Sequence, residues 1–266
     1  MNKTLLCVVG IATLTSLRAA QPSPTPGRKP FPHQFRTVDG LLVPVPSEIF
    51  NTLDKFRQSN WRAVQRPELA RWKPPGDQAE NALLLGAVIA EGFIAVEAED
   101  ATEAKSVGRA VLKLARSLGV ERAALRRSRS IVDYAEKGDW PAVRREWDGV
   151  LPDVQQGMKQ LKSEQLAQLV SLGGWVRGSE AFATLVLQNY SRQDADLLRQ
   201  PALFDHFEKQ LAGMSGDVAT DPVVAKMRAS LPKVRQVLGP EGAKISREKV
   251  QQISIISTDL LKSLNR

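Results

Sequence analysis

The segment NALLLGAVIAEGFIAVEA, from Asn81 to Ala98, decides the fold. On a helix its side chains are apolar almost all round, and a helix without a polar face is buried on most sides. Gly86 and Gly92 lie inside the segment. Glycine is unfavourable within a helix, so its presence suggests a close approach of neighbouring backbone or space that is kept open. We therefore predict that this segment is the central helix of the protein.

A second apolar segment, from Leu166 to Leu187, has the same character and also contains glycines. Each segment carries an isolated charge near its middle: Glu91 in the first, and Arg177 with Glu180 in the second. A buried carboxylate requires a partner, and Arg177 is the natural partner of Glu91. We predict that the two apolar helices meet through this ion pair.

Two interpretations of these charges follow from the sequence. In the first, the ion pair is structural and fixes the register of the two helices. In the second, Glu91, Trp175, Arg177 and Glu180 line a pocket for a small polar ligand, because carboxylates with perturbed pKa values are frequent in functional clefts. The second interpretation predicts an open cavity beside Glu91 and Trp175.

Apolar spacing of the helical type extends from Ser47 to the C-terminus, and no second β region follows residue 46. The sequence predicts an all-α fold, in which residues 47–266 form one domain of about eight helices, some of them kinked by proline. The register is kept straight through Pro152, which favours a kinked helix there. The residues predicted to cap helices are Asp77, Asp100, Asp139, Ser191, Asp221 and Ser246.

The N-terminal residues have the features of an export signal. Residues 1–20 combine a positive charge at Lys3, a short apolar run and small residues at the end, a pattern typical of a cleaved signal peptide. Residues 21–46 form a proline-rich leader, which excludes helix. Asp39-Gly40 in this leader is a pair that favours one small hairpin. We expect a periplasmic or secreted protein without a transmembrane helix in the mature chain.

The composition limits the chemistry of the mature chain. The only cysteine, Cys7, lies in the signal segment, so disulfides, thiolate metal sites and thiol nucleophiles are excluded after cleavage. The 266-residue chain carries a formal charge of +8. Removal of Lys3 and Arg18 lowers the formal charge to +6, so the mature protein remains basic and favours anionic surfaces.

A stripe of basic residues repeats at helical spacing on two consecutive predicted helices. Intervals of three and four residues place each set on one face. This stripe is either a solvated helix face or a ridge that binds an anionic polymer or an acidic partner. Nucleic acid is an unlikely ligand, since the signal directs the chain out of the cytoplasm and no aromatic residues are interleaved for base stacking. The residues are Lys105, Arg109, Lys113 and Arg116 on the first helix and Arg122, Arg126 and Arg129 on the second.

One short stretch resembles a known family. Gly138-Asp139-Trp140 followed by Trp147 resembles the turn and second helix of a tetratricopeptide repeat, and a fainter copy begins at Gly173 with Trp175. The resemblance implies helical hairpins stacked into a surface that binds a peptide. It covers one hairpin, and Val143 stands where that family has a small residue.

Familiar catalytic motifs are missing from the sequence. There is no zinc-protease, nucleophile-elbow, phosphate-loop or dinucleotide motif, and no paired Glu-x-x-His. We expect no cofactor and no metal, and we favour a non-enzymatic protein that binds or scaffolds an envelope protein or an anionic polymer. The alternatives are a small-molecule sensor or enzyme that uses the Glu91 region, a peptide-binding helical-hairpin protein, and a purely structural envelope protein.

Overall fold

The computed structural model describes residues 35–38, 41–44, 54–56 and 59–265. The predicted signal peptide, most of the proline-rich leader and the helix start predicted at Ser47 lie outside the described residues. Strands β1 (Phe35–Val38) and β2 (Leu41–Pro44) pair antiparallel, with Val38 opposite Leu41. Three short 3-10 helices span Asp54–Phe56, Trp61–Val64 and Asp196–Leu198.

All other regular structure in the described residues is α-helical, which confirms the predicted all-α fold. There are more helices in these residues than the eight expected, because the chain is divided at Gly149 and before Pro201 and because short helices form at Pro67–Arg71 and Gly216–Thr220. The helices are α1 (Pro67–Arg71), α2 (Gln78–Glu97), α3 (Ala101–Ser117), α4 (Glu121–Glu136), α5 (Trp140–Asp148), α6 (Val150–Gln160), α7 (Glu164–Gln188), α8 (Arg192–Ala195), α9 (Pro201–Ala212), α10 (Gly216–Thr220), α11 (Pro222–Leu238) and α12 (Arg247–Lys262).

The helix boundaries follow local capping chemistry. Each of the six predicted cap residues precedes a helix and accepts hydrogen bonds from backbone N–H groups of the first turn, which have no partner within the helix. At the other ends, Gly119 and Gly138 follow α3 and α4 with φ angles of +76° and +70°, a conformation that favours glycine. The six caps are Asp77, Asp100, Asp139, Ser191, Asp221 and Ser246.

The centre of the fold is the direct packing of α2 against α7. A Cβ atom placed on Gly86 would lie 1.9 Å from the Val170 carbonyl oxygen, and one placed on Gly173 would lie 1.9 Å from the Leu83 carbonyl oxygen. The two backbones therefore meet where each helix lacks a side chain. Of the two roles that the sequence allows for these glycines, the structure shows close approach.

The opposite end of α2 makes a second close contact through Gly92. The Trp147 ring of α5 lies where a Gly92 side chain would be, and its indole N–H donates to the Ile89 carbonyl at 3.0 Å. By length and composition α2 could cross a membrane, but 94% of its apolar window is buried inside the fold. A core helix surrounded by protein has the same composition.

The prolines act differently at three positions. The helix predicted to bend at Pro152 is instead divided at Gly149 into α5 and α6, because Pro152 has no N–H to donate to the Asp148 carbonyl. Pro201 begins α9, where its missing N–H costs no helical hydrogen bond. Pro232 does not interrupt α11, which continues through it with Leu231 and Val234 buried on either side.

The C-terminal helices complete the core. Leu260, Leu261 and Leu264 join the same apolar cluster as α2. A second cluster lies beyond α7 and includes Phe204 and Ile253.

The α2–α7 contact predicts a strong position dependence of Gly→Ala substitutions. Gly86→Ala and Gly173→Ala should each lower the free energy of unfolding by about 1–3 kcal/mol or more, because the added methyl meets backbone that cannot yield. Denaturant unfolding measures this loss. Gly178→Ala in α7 is the matched control, since nothing lies within 4 Å of its Cβ position. The control should gain up to about 1 kcal/mol from helix propensity, and equal losses at all three sites would contradict the packing.

Candidate functional site

Arg177 is the centre of a buried charged cluster between α2 and α7. Its side chain is 0% exposed, as is that of Glu91. Arg177 donates from Nε to Glu91 Oε2 at 2.9 Å and from Nη1 to Glu180 Oε2 at 2.5 Å, and its Nη2 atom lies 2.7 Å from Glu91 Oε2. The predicted ion pair between Glu91 and Arg177 is therefore formed, and Glu180 joins it from one helical turn further along α7.

Residues 61–66, which we call the strap, cover the cluster. Arg177 donates through Nη2 to the Val64 carbonyl oxygen. The backbone N–H of Arg66 donates to Glu91 Oε1 at 2.7 Å, and its guanidinium donates to Glu180 Oε1 at 2.7 Å. The strap is thus bonded to both apolar helices at once.

Apolar contacts hold the strap in place beside these bonds. Trp61 and Val64 are buried against Ile94 of α2 and Leu185 of α7. The strap therefore places apolar side chains over the helices and backbone groups over the charges.

The carboxylate oxygens of the cluster find their hydrogen-bond donors within the cluster itself. Each of the four carboxylate oxygens of Glu91 and Glu180 accepts at least one hydrogen bond from Arg177 or Arg66. Burial raises the pKa of Glu91, while the adjacent Arg177 guanidinium acts in the opposite direction. A carboxylate that is sealed and paired in this way matches the structural interpretation of the ion pair, which fixes helix register.

Trp175 lies apart from this cluster, so the four residues of the predicted pocket do not meet. Its indole N–H donates to Gln200 Oε1 at 3.0 Å. Its ring packs edge-on against Phe204, with the ring centroids 4.9 Å apart, and at a tilt against Phe207, with the centroids 5.4 Å apart. Residues two apart on a helix point in nearly opposite directions. Trp175 and Arg177 therefore face different neighbours, so in the described part of the chain the four predicted residues do not line one common pocket.

The predicted basic stripe lies on the surface of α3 and α4. Two of its members are paired: Lys105 with Glu136 at 3.3 Å and Arg116 with Glu121 at 2.5 Å. The other five are exposed and have no ion pair within the described part of the chain. We call these five the basic face: Arg109, Lys113, Arg122, Arg126 and Arg129.

The two rows of this stripe lie on the same side of the α3–α4 hairpin. At one end, Lys105 of α3 pairs with Glu136 of α4. Glu136 lies seven residues, or two helical turns, after Arg129 and so continues the row formed by Arg122, Arg126 and Arg129. At the other end, Arg116 and Arg122 border one common groove. Because the two rows lie side by side at both ends, the cations of both rows share one surface of the hairpin.

Arg127 follows Arg126 of this stripe in the sequence but has another role. It is only partly exposed and donates from Nε to Asp153 at 2.5 Å and from Nη1 to Glu146 at 3.4 Å, linking α4 to α5 and α6.

The carboxyl group of Asp148, at the end of α5, was not singled out from the sequence. One of its oxygens, Oδ1, is buried without a hydrogen-bond partner in the described residues. Burial raises the pKa of Asp148 to about 6, against a smaller opposite effect of Arg144.

The tetratricopeptide resemblance extends to one turn only. Gly138 and Asp139 do join α4 to α5, as the resemblance implies. The fainter copy is absent, because Gly173 and Trp175 lie inside the continuous helix α7 and no turn occurs there. Glycine at position 173 serves helix contact instead of chain reversal.

The fold therefore defines the class of an all-α protein with a buried charged cluster and an exposed basic face. Among the residues that the structure describes, no group of three or more His, Cys, Asp or Glu side chains is placed to hold a metal ion. Protein-family models, curated protein sequences and solved structures give no match to this chain.

The sealed cluster predicts that Glu91→Gln acts on stability. The substitution leaves Arg177 buried with one charged partner fewer, so the free energy of unfolding should fall by about 3–5 kcal/mol. Asp205→Asn removes a surface partner of Arg235 and is the control, with an expected loss of at most about 1 kcal/mol. Urea unfolding followed by circular dichroism compares them. Similar losses in the two variants would contradict the structural role of the cluster.

The raised pKa of Asp148 predicts a pH dependence of stability. Between the ordinary value of 3.8 and about 6, the folded protein retains a proton that the unfolded chain releases. The contribution of Asp148 to stability is therefore present below this window and is lost as the pH rises through it. Asp148→Asn should be more stable than wild type at about pH 7 but not at about pH 4. Urea unfolding at both pH values tests this, and a pH-independent difference would refute it.

Proposed function

We propose that this protein is an exported, non-enzymatic binding protein that uses its basic face to bind an anionic polymer or an acidic protein of the cell envelope. The observation that carries the proposal is the set of five exposed cations on one side of the α3–α4 hairpin that have no ion pair with any residue the structure describes. Export is the expectation drawn from the N-terminal sequence, and the binding role is drawn from the surface.

The spacing of these cations supports a ligand. Like charges three or four residues apart on a helix repel each other and destabilise it by a few tenths of a kcal/mol each. Elsewhere in the described chain, arginines such as Arg127, Arg144 and Arg235 have carboxylate partners. An anionic ligand would supply the same compensation to the basic face.

The interior supports a binding protein better than an enzyme. The Glu91, Arg177 and Glu180 side chains of the central cluster are buried and bonded to one another, so they offer no free acid or base to a substrate. The sensor or enzyme alternative depended on an open pocket at Glu91 and Trp175. Those two residues lie in separate environments.

Retention on an anionic matrix tests the proposal. The variant with Arg122, Arg126 and Arg129 replaced by Gln should elute from heparin-agarose at clearly lower salt than wild type, because exposed charges act over about a Debye length. The control replaces three exposed lysines without ion pairs in the described chain, Lys233, Lys244 and Lys262, by Gln. Both variants lose the same charge, so elution at the same salt concentration would refute the basic face as the binding surface.

A further inference from the structure

A groove lies at the end of the basic face. It has a volume of about 610 Å³ and runs between the α3–α4 turn and the C-terminal half of α6. This volume is within the range of ligand sites, about 300–1,000 Å³. Arg116 and Arg122 border it on the hairpin side, and Gln156, Gln160 and Leu161 border it on the α6 side.

The groove is preformed, because α6 packs directly on the first turn of α4. A Cβ atom on Gly157 would lie 3.2 Å from the Ala123 Cβ and 3.3 Å from the Val120 Cβ. The turn residue Gly119, with φ of +76°, has Leu161 Cδ1 3.4 Å from its Cβ position. The α3–α4 turn and α6, which form the two sides of the groove, therefore contact each other directly, and this contact fixes the width of the groove without a ligand.

Leu161 gives the groove an exposed apolar side. Its side chain is 53% exposed, and in the described chain Ile255, at 60%, is the other large hydrophobic residue exposed to this degree. Val120 and Ala123 add apolar surface to the same groove. An apolar side chain of a ligand would remove this surface from water, which is favourable in proportion to the area buried.

The charge of the groove favours an acidic ligand. Its own acids are already matched: Glu121 pairs with Arg116, and Asp153 pairs with Arg127. Arg122 has no ion pair in the described residues and leads to the rest of the basic face.

We infer that this groove binds an extended acidic peptide segment that carries one bulky apolar residue, an inference that rests on the proposed function. The apolar residue lies against Leu161, the peptide backbone bonds with the amides of Gln156 and Gln160, and the carboxylates lie along Arg122 and the basic face. A polysaccharide or a nucleic acid supplies the charge but no aliphatic or aromatic side chain of this kind for Leu161. The combination of charge and apolar surface in the groove therefore favours a peptide segment of a partner protein as the ligand.

Fluorescence anisotropy with two labelled acidic peptides tests the inference. The peptides have the same number of carboxylates and differ only in a central phenylalanine or glycine. Wild type should bind the phenylalanine peptide at least about tenfold more tightly, the factor expected for burial of one aromatic side chain. Leu161→Ser should abolish this preference, whereas Ile255→Ser, at the other exposed hydrophobic residue, should preserve it.

The outcomes separate this inference from the proposed function. Equal affinity of wild type for the two peptides, or an unchanged preference in Leu161→Ser, would overturn the groove as a peptide site. Retention of wild type and Leu161→Ser on heparin-agarose would then still support the basic face. If the triple Arg122, Arg126 and Arg129 variant instead keeps full retention, the proposed function fails, whatever the peptides show.

Discussion

Contact between the backbones of α2 and α7 is the constraint on which the rest of the structure depends. Gly86 and Gly173 allow this approach, because any side chain there would overlap a carbonyl group of the opposite helix. The short interhelical distance then lets Glu91 reach Arg177 and excludes water from both. The packing and the buried charges are therefore one feature, since neither arrangement is available to helices held further apart.

The charged cluster gives specificity more than stability. Removing charges from water is costly, and a buried pair regains that energy only when geometry and hydrogen bonds are complete. Arg177, Glu91, Glu180 and Arg66 meet this condition. A shift of α7 along α2 by one turn would separate these charges and would also move Gly86 and Gly173 away from the backbone that they contact, so the cluster and the glycines select the same register.

The helix caps and the central ion pair were the features of this structure that could be predicted from the sequence. A cap such as Asp100 acts on residues three positions away, so its role is visible in the order of amino acids. The Glu91–Arg177 pair could be predicted because each charge is isolated in an apolar segment. Trp175 was misplaced because nearness in sequence was taken for nearness in space, although helical periodicity puts it on the face opposite Arg177. The strap was missed because its bonds to the cluster include the backbone groups of Val64 and Arg66, which every sequence possesses.

The strap shows that residues ahead of the two apolar helices belong to the folded unit. A fragment that began at Gln78 would contain both apolar helices. Yet a chain that started there would leave a hydrogen bond of Arg177 unmade and would expose Glu180 where the Arg66 guanidinium now lies. Trp61 and Val64 would also be lost from the surface formed by Ile94 and Leu185. Trp61 to Arg66 therefore belong to the folded domain, with Trp61 and Val64 in its interior.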